Sequence, residues 1–321
     1  MHVIFGAGPV GTTLALELAD HGEAVRVLSR SGSGPVHPAV TRQRVDATDA
    51  DAARRATADA TVIYNALNPP YTSWDRDWPP LHHNLMDAAA ASGAVLVLMD
   101  NLYGYGDTNG APITTSSPLS ATGAKGATRA RMSVELLDAH AAGHLRATIA
   151  RASDFFGPRV IDASFGERVV PNVLAGKTVR VLGALDQPHS LAYMPDVART
   201  LAVIGRDERA WGRAWHVPSA PAMTQAEIVQ MLADAAGTTV KTAAVPSWML
   251  RGMGIVSPMM RSLREVEYQF AKPFVVDASD TKTTFALSAT PLAEACAETV
   301  AWWRERTTTT AGAAATDPRA A

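Results

Sequence analysis

The sequence predicts an α/β fold, a doubly wound parallel sheet carrying a smaller C-terminal lobe. Three observations predict it. Short apolar runs alternate with helical patterns through the first half, a glycine-rich loop follows the first run, and the pattern turns irregular after Gly157-Pro158. The 321 residues exceed one average domain and match a single sheet with an appended lobe. At 47% hydrophobic and 19% charged, the chain has enough apolar material for a sizeable core, which excludes a disordered or fibrous protein.

The first run, His2–Phe5, leads into the glycine loop. Val10, Leu14 and Leu18 then recur at four-residue spacing, which puts one apolar stripe on a helix that Gly22 closes. Residues 24–28, 61–64, 94–99 and 145–150 supply further strands, and a helical pattern runs from near Lys125 to His140. Beyond Pro158, proline-punctuated segments flank helices at 224–236 and 290–306. Thr224 and Glu227 form a capping-box pattern at the first of these, since hydroxyl and carboxylate can each satisfy an unpaired helix N–H. Trp211, Trp215, Trp248, Trp302 and Trp303 read as packing aromatics. The expected organisation is a sheet domain over 1–157, with 191–205 packing back onto it, and a lobe over 158–306. Residues 307–321 are Thr/Ala-rich without apolar periodicity and are expected to form a disordered tail.

A net charge of -2 and a pI near 6.5, with no cluster of Lys and Arg, exclude nucleic acid and anionic membranes as obvious partners. Cys296 is the single cysteine, so no intramolecular disulfide can form and a cysteine-based metal cluster is not expected. His82 and His83 are adjacent and share no helical face, so no metal site is expected there either. The first strand at His2 leaves no room for a signal peptide, and no apolar run reaches membrane-spanning length. A soluble, cytoplasmic protein is expected.

Gly6-Ala7-Gly8-Pro9-Val10-Gly11 has the G-x-G-x-x-G spacing between a strand and a helix, the context in which that spacing binds a dinucleotide. Gly6 permits the turn, Gly8 lets the backbone approach a diphosphate, and Gly11 allows close helix–strand packing. The diphosphate would rest on the helix N-terminus, where free N–H groups and the dipole favour negative charge. This predicts a Rossmann domain. About 20 residues on, where Asp or Glu would bind a ribose diol, the chain has Ser29 and Arg30 instead. A guanidinium suits a 2′-phosphate, so NADP(H) is expected over NAD(H), although Arg30 also reads as a solvated loop cation. Asp46 and Ala47 are candidate adenine contacts, Asp46 equally a turn cap, and Asn65 and Ala66 are candidate cofactor contacts after a strand.

With the glycine loop and Asp46-Ala47 stand three further motifs, Tyr103-Gly104-Tyr105-Gly106, Arg151-Ala152-Ser153-Asp154-Phe155-Phe156-Gly157-Pro158 and Tyr193-Met194-Pro195-Asp196-Val197-Ala198, and a closing helix with Trp302-Trp303. Together they resemble the extended short-chain dehydrogenase/reductase superfamily of NAD-dependent epimerase/dehydratase type, most closely its atypical members. The resemblance covers nearly the whole chain except the tail. It implies a substrate cleft between the Rossmann domain and the lobe, a small-molecule substrate and a homodimer. Typical members use a Tyr-x-x-x-Lys pair, the lysine lowering the tyrosine pKa for proton exchange. The present chain departs from that pattern. Lys125 has Ala121 four residues before it, an alternative alignment gives Ala127 and Arg131, and the family's Ser/Thr position is taken by Asn101.

The remaining proton donors are tyrosines beyond the carboxyl ends of strands, where open α/β sheets bind ligands: Tyr103 first, then Tyr71, with Tyr105 nearby. Each is equally readable as a packing aromatic. Lys125 and Arg129 would share a helical face and could steady a phenolate or anion, with a solvated face the alternative, slightly favoured for Arg129. Asn101 could orient a carbonyl or water, and Asp100 could act as a base or a cap. The proline-rich loop holding Asn68 and Trp74 could wall the substrate or simply connect elements. Asp154 and His189 are candidate substrate contacts, His189 also a candidate proton shuttle. The expected activity is an NAD(P)-dependent oxidoreductase or epimerase/dehydratase-type enzyme on a small organic substrate. Alternatives are a non-redox isomerase, lyase or cyclase on the same fold, and a nicotinamide-sensing regulator.

Overall fold

The computed structural model describes residues 1–245 and 262–315, so Trp248 and residues 316–321 of the expected tail lie outside the described residues. In chain order the sheet strands are β1 (His2–Phe5), β2 (Val25–Ser29), β3 (Val40–Arg44), β4 (Val62–Asn65), β5 (Val95–Asn101), β6 (Arg146–Ala152) and β11 (Ala214–His216). They form one sheet in the order β11-β6-β5-β4-β1-β2-β3, every pairing parallel. Strand order reverses between β1 and β4, and the crevice outside their carboxyl ends is where such sheets bind ligands.

Burial on both faces explains why the central strands read as continuous apolar runs. In β1, Ile4 faces the core under α1 (Pro9–Asp20) and α6 (Met194–Arg206). Val3 and Phe5 face the opposite layer, formed by α2 (Ala50–Ala56), α3 (Trp74–Ser92) and α4 (Ala124–Ala141). At the sheet edge, β3 reads Thr41, Arg42, Gln43 and Arg44, all exposed. Such charges keep an edge from pairing with another chain, and they also hide the strand from any search for apolar runs.

The remaining strands form three two-stranded pairs: β7 (Asp154–Phe156) with β10 (Leu191–Tyr193), β9 (Pro188–His189) with β12 (Met223–Thr224), and β8 (Val179–Leu182) with β13 (Thr242–Val245). A separate core joins α5 (Val170–Leu174), α7 (Gln225–Ala236) and α10 (Leu292–Ala315) through Val173, Leu232, Val300 and Trp303. Two short helices, α8 (Tyr268–Ala271) and α9 (Ser279–Phe285), lie between β13 and α10. The Thr224–Glu227 capping box is present at α7.

Two sequence expectations are corrected here. Helix α10 does not stop at Arg306, and residues 307–315, expected as disordered tail, continue it. That stretch is rich in alanine, the best helix former, and needs no apolar stripe to extend a helix already docked upstream. The proline-rich loop also ends sooner than expected, with a 3-10 turn at Tyr71–Ser73 followed directly by α3. Pro79 and Pro80 sit inside α3. The carbonyls they leave without helical partners belong to exposed Asp75 and Arg76, where water can replace the bonds.

A buried ionic network ties the carboxyl ends of β5 and β6 to α4. Asp100 is 3% exposed. It takes Arg129 Nε at 2.6 Å, Ser133 Oγ at 2.9 Å and Arg151 Nε at 3.3 Å. The neighbouring guanidiniums hold its carboxyl below the usual range against the upward push of burial. Arg129 also donates to the Met99 carbonyl and lies over the Trp78 ring. It is therefore a core residue, not the solvated helix cation expected. From Arg151 a donor chain continues. Its Nη1 donates to the Tyr105 hydroxyl at 2.8 Å, Tyr105 donates to His216 Nε2 at 2.7 Å, and His216 Nδ1 donates to the Asp277 carbonyl at 2.8 Å. Burial pushes His216 down to about 4, which keeps its ring neutral and able to accept from Tyr105.

Arg129→Met removes one partner of a buried carboxylate and should lower the unfolding free energy by about 3–5 kcal/mol in urea titrations. Arg131→Met, exposed on the same helix, should change it by less than about 0.5 kcal/mol. The low pKa of His216 fixes a second outcome. The unfolded chain binds this proton near 6.5 and the folded chain only near 4, so stability is complete above about pH 6.5 and falls as the pH drops toward about 4. Urea midpoints followed over that window should fall less steeply in His216→Gln.

Candidate functional site

The β1–α1 loop is built by steric necessity. Gly6 has φ +111°, and a Cβ there would come within 2.4 Å of the Ala66 carbonyl oxygen. A Cβ on Gly11 would lie 2.0 Å from the Gly6 oxygen, so the helix can approach the strand only without one. Gly8 is different: its backbone is extended (φ -75°, ψ -171°), and a Cβ would meet nothing within 4 Å. Nothing in the packing demands glycine at Gly8, which fronts open space at the N-terminus of a 12-residue helix. No side chain caps that end, Pro9 occupies the first turn, and Val10 stands beside it partly exposed. Thr12 Oγ1 donates to the Ala7 carbonyl at 3.1 Å and fixes the loop.

Across the crevice, Asn65 ends β4 at 1% exposure. Its Oδ1 accepts from Leu67 N at 3.3 Å, while Nδ2 has no hydrogen-bond partner among the described residues. A buried orphan donor is costly unless a ligand supplies its acceptor. Together the open Gly8 cradle, the uncapped dipole end and this orphan amide fit a dinucleotide diphosphate and its flanking groups.

At the end of β2, Ser29 Oγ donates to the Ser33 carbonyl at 2.9 Å, and Arg30 is exposed. Asp46 accepts from Thr48 N at 3.0 Å and Thr48 Oγ1 at 2.8 Å, bonds that lower its pKa, with Arg30 adding a smaller pull. Of its two expected roles, the turn cap is therefore present. Ala47 is buried, and its carbonyl accepts from Asn84 Nδ2 at 2.9 Å.

A second cluster gathers at the carboxyl ends of β5 and β6. Asn101 Oδ1 accepts from Tyr103 N at 3.0 Å and so sets the turn that carries Tyr103. The hydroxyls of Tyr71 and Tyr103 are 3.4 Å apart. Burial pushes Tyr71 up to about 12 and Tyr103 well above its ordinary value, so both stay protonated. Lys125 is buried, with Nζ 4.7 Å from the Tyr71 ring centroid and 3.6 Å from Glu265 Oε2. Its ammonium thus serves a carboxylate rather than a phenolate. Asp154 Oδ2 lies 2.7 Å from His189 Nε2, and the charge of Asp154 reaches Tyr71, Tyr103 and Tyr268.

Some candidates fall outside this cluster. Trp74 is 6% exposed, donates Nε1 to the Pro69 carbonyl at 3.1 Å, and packs edge-on against Tyr71 and at a tilt against Tyr103, so it backs the two tyrosines and offers little surface of its own. Tyr105 is fully buried in the ionic network, and Asp100 is spent there as an ion-pair anchor. Asn68 is exposed on its loop. Glu265, Tyr268, Gln269 and Phe270 were missed. They arrive from more than a hundred residues downstream, in a stretch with neither motif nor periodicity to announce them.

Residues 2–217 match the family model described as the NAD dependent epimerase/dehydratase family, about two-thirds of the chain. The chain belongs to that family. Solved structures add likeness of fold. A UDP-glucose 4-epimerase from Thermotoga maritima with UDP-glucose superposes with a TM-score of 0.78 at 15% identity, covering 96% of this chain and 100% of its own. The dTDP-glucose 4,6-dehydratase DesIV from Streptomyces venezuelae, with NAD and TYD bound, gives 0.76 at 19%, covering 96% and 98%. A dTDP-glucose 4,6-dehydratase from Bacillus anthracis in complex with NAD gives 0.76 at 16%, covering 96% and 98%. A search of curated sequences finds no match. Ala121 stands four residues before Lys125, and on α4 Ala127 and Arg131 both face solvent; a Tyr-x-x-x-Lys spacing occurs downstream at Tyr268 and Lys272, where Lys272 Nζ pairs with Asp107. No helix among the described residues is long and apolar enough to cross a membrane.

The two loop glycines should separate cleanly in thermal unfolding. Gly6→Ala forces a Cβ into the Ala66 carbonyl at a positive φ and should cost more than about 1 kcal/mol, whereas Gly8→Ala should leave stability equal or slightly higher.

Proposed function

We propose that the protein is an NADP(H)-dependent oxidoreductase or epimerase/dehydratase-type enzyme acting on a small organic substrate in the cytoplasm. The observation that carries this reading is Gly8, a glycine the packing does not need, fronting open space at an uncapped helix N-terminus. Backbone N–H groups of the segment Gly6, Ala7, Gly8, Pro9, Val10 and Gly11 would hold the diphosphate, Pro9 contributing only its fixed φ. Ser29 and Arg30 would receive the 2′-phosphate, Asp46 and Ala47 would flank the adenine, and Asn65 and Ala66 would contact the part of the cofactor nearer the reaction. When bound, the nicotinamide supplies hydride exchange. Tyr103, seconded by Tyr71, would donate a hydrogen bond or proton to the substrate oxygen, for which a phenol kept protonated by burial is suited. Lys125 would fix the Tyr71 ring and Asn101 the Tyr103 turn. Asn68 and Asp154 would line the substrate side, with residues 158–306 as the substrate lobe; His189, buried behind Asp154, would support that carboxylate rather than touch substrate as the sequence suggested.

A second reading, a non-redox isomerase, lyase or cyclase that keeps its cofactor as structure, is favoured by one observation. The Lys125 ammonium is engaged by Glu265 and not by a phenolate. It predicts turnover without net change in nicotinamide absorbance.

Calorimetric titration with NADPH, NADP+, NADH and NAD+ tests the first reading. NADP(H) should bind more tightly than NAD(H), and Arg30→Ala should erase at least about tenfold of that preference, the scale of a hydrogen bond to a charged group. Binding by none of the four nucleotides would overturn the cofactor assignment. A panel of aldehydes, ketones and secondary alcohols followed by nicotinamide absorbance then separates the two readings.

A further inference from the structure

With no tyrosine four residues before Lys125 on α4, Lys272 of the Tyr268-x-x-x-Lys272 spacing paired with Asp107, and the cleft phenols held protonated, the site still needs a group that accepts the substrate's proton. We infer that Asp154 is that acceptor and that His189 is the residue that orients it, an inference resting on the cofactor reading above. Asp154 lies two residues past the carboxyl end of β6, on the side of the sheet where this class binds ligands. Its side chain is 20% exposed. Oδ2 is bound to His189, whereas Oδ1 has no hydrogen-bond partner among the described residues. Tyr71, Tyr103 and Tyr268, from three separate elements, lie within reach of its charge.

His189 cannot do this work itself. Its ring is 2% exposed, stacked between Phe270 at 5.2 Å and Phe274 at 5.3 Å, with Nδ1 3.1 Å from the Gln269 carbonyl and Nε2 on Asp154. Both nitrogens are occupied and the ring cannot turn. The nearby cations are committed elsewhere, Lys125 to Glu265 and Arg129 and Arg151 to Asp100. Among the described residues, Asp154 therefore has one fixed oxygen and one oxygen without a partner, the arrangement of an oriented base.

In the oxidising direction, the substrate O–H bond breaks and its proton goes to Asp154 Oδ1. The carbinol carbon gives its hydrogen, with both electrons, to an oxidised nicotinamide dinucleotide and becomes a carbonyl carbon. In the reducing direction the carbonyl carbon receives the hydride from the reduced dinucleotide and the oxygen takes the proton back.

A carboxylate facing the reacting centre favours the cationic oxidised nicotinamide over the neutral reduced ring, so binding alone tests the placement. Full-length wild type, Asp154→Asn, His189→Ala and His189→Gln are titrated calorimetrically with NADP+ and NADPH. The affinity ratio of NADP+ to NADPH should fall at least about tenfold in Asp154→Asn. It should fall in the same direction in His189→Ala and recover in His189→Gln, which keeps a donor toward Asp154. A purely structural tether would weaken both nucleotides together. In the substrate panel, any compound turned over by wild type should be processed at least about a hundredfold more slowly by Asp154→Asn. An unchanged ratio, or full turnover in Asp154→Asn, overturns the inference while leaving the cofactor reading intact. Failure of wild type to bind either nucleotide overturns both.

Discussion

The Asp100 carboxylate, buried between two guanidiniums, is the constraint on which the ligand-facing end of the sheet depends. An ion in a low-dielectric interior must be matched, and here it is matched by groups from different elements: Arg129 and Ser133 of α4 and Arg151 of β6. The match fixes where β5 and β6 end relative to α4. Asn101 follows Asp100 and turns the chain to carry Tyr103. Asp154 stands three residues past Arg151. Through Tyr105 and His216 the same network reaches β11 and the carbonyl of Asp277, so the extra sheet strand and the segment before α9 are held in the same donor chain.

This arrangement also divides the cations of the region. Arg129 and Arg151 neutralise Asp100, and Lys125 pairs with Glu265. Little positive charge remains to stabilise a phenolate, and burial pushes Tyr71 and Tyr103 toward the protonated form. Lys125 is thus placed to balance Glu265 rather than to make a neighbouring phenol acidic. Among the described residues, the carboxylate of Asp154 is partly exposed beside these tyrosines and is backed by a histidine stacked on two phenylalanines.

What could be read from the chain follows from the range of the physics involved. The glycine loop is a local device in which three residues a few positions apart meet steric demands within one turn, so spacing alone exposes it. The capping box at Thr224 and Glu227 and the buried central strands are likewise local or periodic. The polar edge strand β3 breaks the apolar pattern because its outer side has no neighbour. Residues 307–315 lack a stripe yet extend a helix already anchored upstream. Arg129 looks like any surface arginine until Asp100 and Trp78 are placed around it.

By itself the sequence determined the parallel α/β class, the glycine loop between its first strand and helix, the family resemblance and the Ala121 that stands four residues before Lys125. Tertiary structure alone decided which charged side chains are free. Trp74 turned inward, Tyr105 and Asp100 were absorbed into the core, and Glu265, Tyr268 and Gln269 were delivered to the cleft from far along the chain. The reason is physical. Backbone conformation and helix ends answer to neighbours within a few residues, whereas the protonation and availability of a side chain answer to burial and to whichever charges the fold brings within a few ångströms.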